Sequence, residues 1–333
     1  MPLYAAGLAV RNLRIEHGWE PVRRLRFPVV SIGNLSTGGA GKTPFTIALA
    51  KTLMLRGLRV DVLSRGYGRK GQRPARVDPN GTSEEFGDEP LLIARQAGVP
   101  VYVGRQRYEA GLLAETEAPD TVSSASAPII HLLDDGFQHR QLYRDIDILL
   151  LDSRDGRDSL LPAGNLREPL KAARRATVIA IPAQDDAPKL EAALRGWGFA
   201  GPVWRLHRRM EVPAPLGSEA GPVAAFCGIA RPEQFFSGLE AAGLQLVFRL
   251  AFPDHHHYTP AELQRFKDLA CEAGATAFIT TEKDHVRLGP LSASFPDSPP
   301  LKIASLRIEI EQEDEAIDWL VGRLSSALPH PSL

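Results

Sequence analysis

Two cysteines, Cys227 and Cys271, are all that a chain of 333 residues holds. They stand in separate apolar and helical stretches without metal-ligand spacing. This argues against a disulfide framework and fits a reducing cytosolic compartment. Net charge is nearly absent too: 39 Lys and Arg against 40 Asp and Glu leave −1. A bulk nucleic-acid binder would show a clear basic excess, so nucleic acid is not an expected partner. Nor does any segment approach the roughly 18 consecutive apolar residues that cross a bilayer. Residues 1–10 are mildly apolar before Arg11 and Arg14, without the basic leader and small-residue cleavage site of a secretory signal. They read equally as a short amphipathic helix on a membrane surface or as a terminal helix packed on its own domain.

What is present is the composition of a globular protein with an ample core, 44% hydrophobic and 24% charged. From Pro28 onward, apolar runs alternate with helical stretches, the pattern of a parallel sheet covered on both faces. Strands are expected at 29–33, 59–63, 99–103, 129–133, 146–151 and 177–181, with helices such as 44–56 and 89–97 between them. Segments 118–128 and 152–165 read as surface loops. After a turn-rich stretch at 212–222, a second unit shows strands at 223–229, 244–252, 276–280 and 302–310. Its helices fall at 232–242, 260–272 and 313–324.

The densest chemistry follows the first strand, in Ser36-Thr37-Gly38-Gly39-Ala40-Gly41-Lys42-Thr43. Glycines let a backbone wrap phosphate oxygens with its N–H groups pointing inward. Lys42 can reach the β and γ phosphates of ATP, and the Thr43 hydroxyl suits Mg²⁺. The helix that opens here adds its positive N-terminal dipole. Ser36 stands where the strict pattern has its first glycine, so the loop is closer to the G-G-x-G-K-T variants. A glycine-rich turn with an incidental lysine is the competing reading, and strand, loop and helix in the required order argue against it. The expected fold class is therefore α/β. It comprises a P-loop NTPase-like, mostly parallel sheet with helices on both faces over 1–215, and a smaller C-terminal α/β domain over 216–333.

A second apolar run, 129–133, leads into Asp134 and Asp135. A buried strand ending in acid is the usual way to aim a carboxylate at the Mg²⁺ carried by ATP. Aspartates also end strands simply as turn formers. Asp88 precedes Pro90 and an amphipathic helix, where its plain reading is an N-cap. The knot Asp254-His255-His256-His257-Tyr258 follows a strand of the second unit. Three histidines raise zinc as an option, although consecutive side chains in a loop point in different directions. A surface loop is the alternative.

Taken together, these blocks resemble the tetraacyldisaccharide 4′-kinases, the lipid A 4′-kinases of Gram-negative bacteria. The resemblance rests on Gly33 through Pro44, Ser64-Arg65-Gly66-Tyr67-Gly68, Gly87-Asp88-Glu89-Pro90, Asp134 through His139 and Arg167-Glu168-Pro169. It continues through Gly228-Ile229-Ala230-Arg231-Pro232, Phe252 through His256 and Thr280 through Asp284, in family order over nearly the whole chain. It implies transfer of the ATP γ-phosphate to the 4′-hydroxyl of tetraacyldisaccharide 1-phosphate, giving lipid IVA. It also implies a peripheral enzyme on the cytoplasmic face of the inner membrane, with ATP and glycolipid meeting between two domains. Carried over, Lys42 and Thr43 serve the phosphates and Mg²⁺, Asp134 and Asp135 are the Walker B acids, and Glu168 is a further acid near the metal. Asp88 pairs with His255 as the catalytic dyad, with Tyr67 and Gln138 beside the site. Leu3, Tyr4, Leu8, Val10 and Leu13 are the candidates for membrane contact. A GTPase sharing this loop would carry Asn-Lys-x-Asp after a late strand, and Thr281-Glu282-Lys283-Asp284 lacks it.

Overall fold

The structure, a computed structural model, describes residues 2–118, 129–183, 186–213 and 221–325. The expected loop at 118–128, beyond its first residue, and the expected boundary between 215 and 216 lie outside the described residues. The first part of the chain forms α1 (Pro2–Glu16), β1 (Val29–Asn34), α2 (Lys42–Leu55), β2 (Arg59–Ser64), β3 (Ala75–Arg76), α3 (Ser83–Phe86) and α4 (Asp88–Ala97). It continues through β4 (Val101–Val103), α5 (Arg107–Glu117), β5 (Ile129–Asp134), β6 (Ile146–Leu150), β7 (Val178–Pro182), α6 (Ala187–Gly196) and β8 (Val203–Glu211). The remainder forms β9 (Val223–Cys227), α7 (Pro232–Ala241), β10 (Leu246–Ala251), α8 (Pro260–Glu272), β11 (Ala277–Thr281), α9 (Glu282–Leu288), β12 (Leu301–Ile310) and α10 (Glu313–Ser325).

Strands β1, β5, β6 and β7 are buried at every position. Such continuous apolar runs are what a parallel sheet covered on both faces demands. One sheet of twelve strands runs in the order β10-β9-β11-β12-β8-β7-β6-β1-β5-β2-β4-β3. Its pairings are parallel except β3 with β4 and β8 with β12. The β8–β12 pair, from Ser305 opposite Glu211 to Ile310 opposite Leu206, joins the C-terminal strands edge-on to the rest.

No strand is expected at 203–211 from the sequence, and β8 is there. Charged side chains occupy one of its faces, while Trp204 and Leu206 on the other are buried. The core likewise crosses the join. Phe45 and Leu49 of α2 share one apolar cluster with Leu91 of α4, Val286 of α9, Ile308 of β12 and Leu320 of α10. Full burial of a side chain such as Phe45 stabilises the fold by about 1.5–3 kcal/mol. The cluster therefore ties the nucleotide-loop helix mechanically to the C-terminal elements.

Helix α1 lies against the P-loop face. The Tyr4 hydroxyl donates to the Arg167 carbonyl at 3.0 Å, and Arg140 donates to Asn12 Oδ1 at 3.2 Å. Val10 and Leu13 remain half-exposed, and Trp19 just beyond the helix is largely exposed. Among the described residues, no helix is long and apolar enough to cross a membrane.

Candidate active site

The end of β1 and the start of α2 shape the loop between them. Gly38, Gly39 and Gly41 sit at φ 69°, 64° and 81°, a region that side-chain-bearing residues rarely enter. Helix α2 begins at Lys42, two residues ahead of the expected start, so the N-terminal N–H groups fall directly at the loop. Lys42 Nζ lies 2.9 Å from Asn34 Oδ1 and 3.4 Å from Asp135 Oδ1. Ser36 is buried, and the Thr37 amide donates to the Asn165 carbonyl at 2.8 Å. The C-terminal half closes over the loop. Arg208 of β8 donates to the Ala40 carbonyl at 2.8 Å, and a Cβ on Gly38 would fall 2.5 Å from Ala230 Cβ.

Asp134, at the end of β5, is buried with Thr46 Oγ1 at 3.4 Å and Ser64 Oγ at 3.3 Å. Burial, with Glu89 and Asp135 adding repulsion, pushes its carboxyl up to about 7. Asp135 takes φ 49° and turns the other way, onto both Nη atoms of Arg167 at 3.0 and 2.9 Å. Burial raises Asp135, but Lys42 and Arg167 outweigh it and hold the carboxylate well below its usual range. Two adjacent carboxylates, one poorly compensated, across from the loop that carries Thr43 at the start of α2 are oxygen donors of the kind that fit Mg²⁺. That ion takes one or two carboxylates plus nucleotide phosphates and needs no protein cage. Among the described residues, no three His, Cys, Asp or Glu side chains form such a cage.

Glu168 is fully buried, with its oxygens facing Arg175 at 2.8 and 3.3 Å. Gln138 donates from Nε2 to the Asn34 carbonyl at 2.8 Å, and its buried Oε1 has no partner.

Asp88 and His255 come from opposite halves, and the structure brings them together: His255 Nδ1 lies 3.0 Å from Asp88 Oδ2. The plain N-cap reading of Asp88 is corrected here. Gly87, at φ 89°, is the N-cap of α4, and Asp88 is its first residue. With no side-chain cap in use, the carboxylate is left to face the C-terminal half. Asp88 is 6% exposed. Burial raises its carboxyl, but the His255 hydrogen bond and the charges of Lys283 and Arg287 hold it far below the usual carboxylate range.

His255 sits at φ 59°, an unusual backbone state that directs its ring toward Asp88. The Tyr67 ring lies 5.4 Å from the imidazole, centroid to centroid. The same turn faces the P-loop, since Asp254 Oδ2 lies 4.0 Å from where a Cβ of Gly38 would be. His256 points elsewhere, to Glu262 at 3.2 Å, and stacks on Phe252. His257 is exposed. The three histidines thus face three different surroundings.

Some site residues escape the sequence reading. Asn34 Oδ1 receives both Lys42 and Arg167. Arg107 is buried at the start of α5 with Nε unpartnered, and burial pushes its guanidinium down to about 10. Arg287 contacts Asp88 at 2.7 Å. Its position three residues after Asp284, on one helix face, is the signal that could have flagged it.

Comparison with known proteins places this geometry in context. The chain matches the family described as tetraacyldisaccharide-1-P 4′-kinase over residues 2–325. It is 42% identical over 327 residues to a tetraacyldisaccharide 4′-kinase of Koribacter versatilis, covering 96% of each chain. It is 37% identical over 333 residues to the protein of that name from Chromobacterium violaceum, covering 97% of this chain and 92% of that one. Its fold superposes on the crystal structure of LpxK from Aquifex aeolicus in complex with ATP. There the TM-score is 0.72 and the identity 34%, covering 97% of this chain and 96% of that one.

Proposed function

We propose, for a chain that belongs to the tetraacyldisaccharide-1-P 4′-kinase family, that His255 is the base which frees the acceptor hydroxyl and Asp88 the group which orients it. The chain is an ATP-dependent kinase that phosphorylates the 4′-hydroxyl of tetraacyldisaccharide 1-phosphate, giving lipid IVA in lipid A biosynthesis. The observation that carries the proton-transfer assignment is the 3.0 Å contact between Asp88 and His255 beside the P-loop.

Phosphoryl transfer needs alignment and charge compensation more than covalent chemistry from the protein. The loop from Ser36 to Gly41 wraps the phosphates, and Lys42 offsets charge on the transferring group. Thr43, Asp134 and Asp135 would hold Mg²⁺, which neutralises phosphate charge when bound with ATP. Glu168 backs this set by helping to hold Arg167 cationic. Gln138 keeps the loop's entry strand in place through Asn34. Tyr67 walls one side of His255.

The Nδ1–H of His255 donates to Asp88, which leaves Nε2 to take the 4′-hydroxyl proton. The new O–P bond forms as the bond to the β-phosphate oxygen breaks, ADP leaves, and the proton stays on His255. A positioned base of this kind is worth about 10²–10⁴-fold. In this reading the two units, 1–215 and 216–333, each supply half of the dyad. Peripheral attachment to the cytoplasmic face of the inner membrane is part of the same proposal. It is supported by the exposure of Val10 and Leu13 on a helix that touches Arg167 through Tyr4.

Incubation with γ-labelled ATP, Mg²⁺ and detergent-dispersed tetraacyldisaccharide 1-phosphate tests the assignment. Label should move to the glycolipid with wild-type protein and only slowly with His255→Ala. Equal transfer by both would remove His255 as the base.

A further inference from the structure

The carboxylate of Asp88 has no room for a proton. Its Oδ1 accepts the Glu89 N–H at 3.0 Å, while Oδ2 faces His255 Nδ1 at 3.0 Å and Arg287 Nε at 2.7 Å. Arg287 comes from α9, 199 positions away, and is 5% exposed at its side chain. Its other arm is equally committed: Nη1 donates to Asp284 Oδ1 at 3.0 Å and to the Gly228 carbonyl. Asp284 is itself fixed by the Tyr258 hydroxyl at 2.8 Å and the Gly228 amide at 3.0 Å. The guanidinium fork therefore has one orientation, and that orientation puts a fixed cation beside the imidazole. Arg287 Nη2 lies 3.4 Å from His255 Nδ1. Two donors converge there on one acceptor oxygen.

We infer that Arg287 is a positioning residue for the proton transfer: it locks Asp88 as an anion and offsets that anion's pull on His255, so that the imidazole is neutral and free to act as a base. This rests on the assignment of His255 as base.

The charges around the imidazole can be followed element by element. From α4 comes Asp88. From α9 comes Arg287, with Lys283 behind it held by Glu89 at 2.9 Å. From the histidine's own turn comes Asp254, whose Oδ2 is 3.9 Å from Nε2. From the turn after β2 comes the Tyr67 ring. Lys283 pairs with Glu89, while Arg287 is shared between Asp88 and Asp284, with Asp254 at 3.8 Å. Without Arg287, the imidazole would face, at hydrogen-bond distance, a carboxylate that has lost the cation bonded to it. An opposite charge that close stabilises a protonated imidazole by roughly 1–3 pK units. A buried arginine at this position thus does something that a bare Asp–His pair cannot.

The test is the pH dependence of kcat at saturating ATP and acceptor, for the full chain. In Arg287→Gln, the acid limb should move up by about one pH unit, with activity recovering toward alkaline pH. Arg287→Lys keeps the charge and should return the limb toward its wild-type position, even if kcat stays lower. Asp284→Asn removes the anion on the far arm and leaves Arg287 less compensated, so the limb should move down. Shifts of opposite sign do not arise from general loosening of the site. A uniform fall of kcat with unmoved limbs, in whichever of Arg287→Gln and Asp284→Asn folds, overturns the inference. If His255→Ala is inactive while the limbs stay put, the base assignment stands and the role of Arg287 falls. If His255→Ala keeps wild-type kcat, both fall.

Discussion

Replacing His131 with glutamine should abolish a pH-dependent part of the stability of the nucleotide-binding half. His131 lies in β5, fully buried, with Nδ1 2.6 Å from Asp61 of β2 and Nε2 3.5 Å from Glu115 of α5. Glu115 in turn accepts the Phe27 amide at 3.0 Å, just ahead of β1. Burial pushes the imidazole down, but the two carboxylates outweigh it and raise it from 6.5 to about 9. The fold therefore prefers the imidazolium. Its contribution is complete below the unfolded value of about 6.5 and fades as pH rises through about 9. A rise of about 2.5 units corresponds to about 3 kcal/mol. Glu115 is held below the usual carboxylate range and does not titrate in that window. Urea unfolding near pH 6 and near pH 9.5 should show wild type losing about 3 kcal/mol more than His131→Gln. Equal losses in the two proteins would refute the buried imidazolium.

Lys42→Ala and Thr43→Ala should each lower kcat by at least about 10²-fold with folding intact, if Lys42 serves the phosphates and Thr43 the metal as proposed. Steady-state turnover at saturating ATP and Mg²⁺ measures this, and wild-type rates would exclude the cradle. Deleting residues 2–13 should reduce recovery of the protein with membranes more than it reduces ATP binding, as read by sedimentation and nucleotide titration. An unchanged membrane fraction would move the attachment away from Val10 and Leu13.

The parts that were legible in the sequence are those built from contiguous residues. An apolar strand, three glycines at positive φ and a helix starting on lysine form one local object, so β1, the loop and α2 could be read directly. The same holds for β5 with Asp134 and Asp135. What could not be read depends on contacts distant in sequence. The β8–β12 join was hidden because Arg208 interrupts the face of β8 that carries Trp204, Leu206 and Met210, and so breaks the alternation with Arg205, His207, Arg209 and Glu211 that marks a strand. Asp88 resembles a cap because an aspartate just ahead of a helix with proline in its first turn commonly is one. Only the fold shows that Gly87 holds that place and frees the carboxylate for His255 and Arg287. Glu168 shows the converse. Its motif suggests a place near the metal, and in the fold its buried carboxylate faces the partly exposed Arg175, a contact seven residues on that the motif does not show.

The account stands on Asp88 and His255 acting as one unit across the two halves of the chain. A double-mutant cycle on kcat, with phosphate transfer to the glycolipid as readout, tests this most directly. Asp88→Ala and His255→Ala should each cost about 10²–10⁴-fold, with modest effects on ATP binding. The double mutant should be little worse than the more damaged single, because groups that act together are strongly non-additive. A double mutant whose loss equals the product of the two single losses would show independent roles and contradict the account.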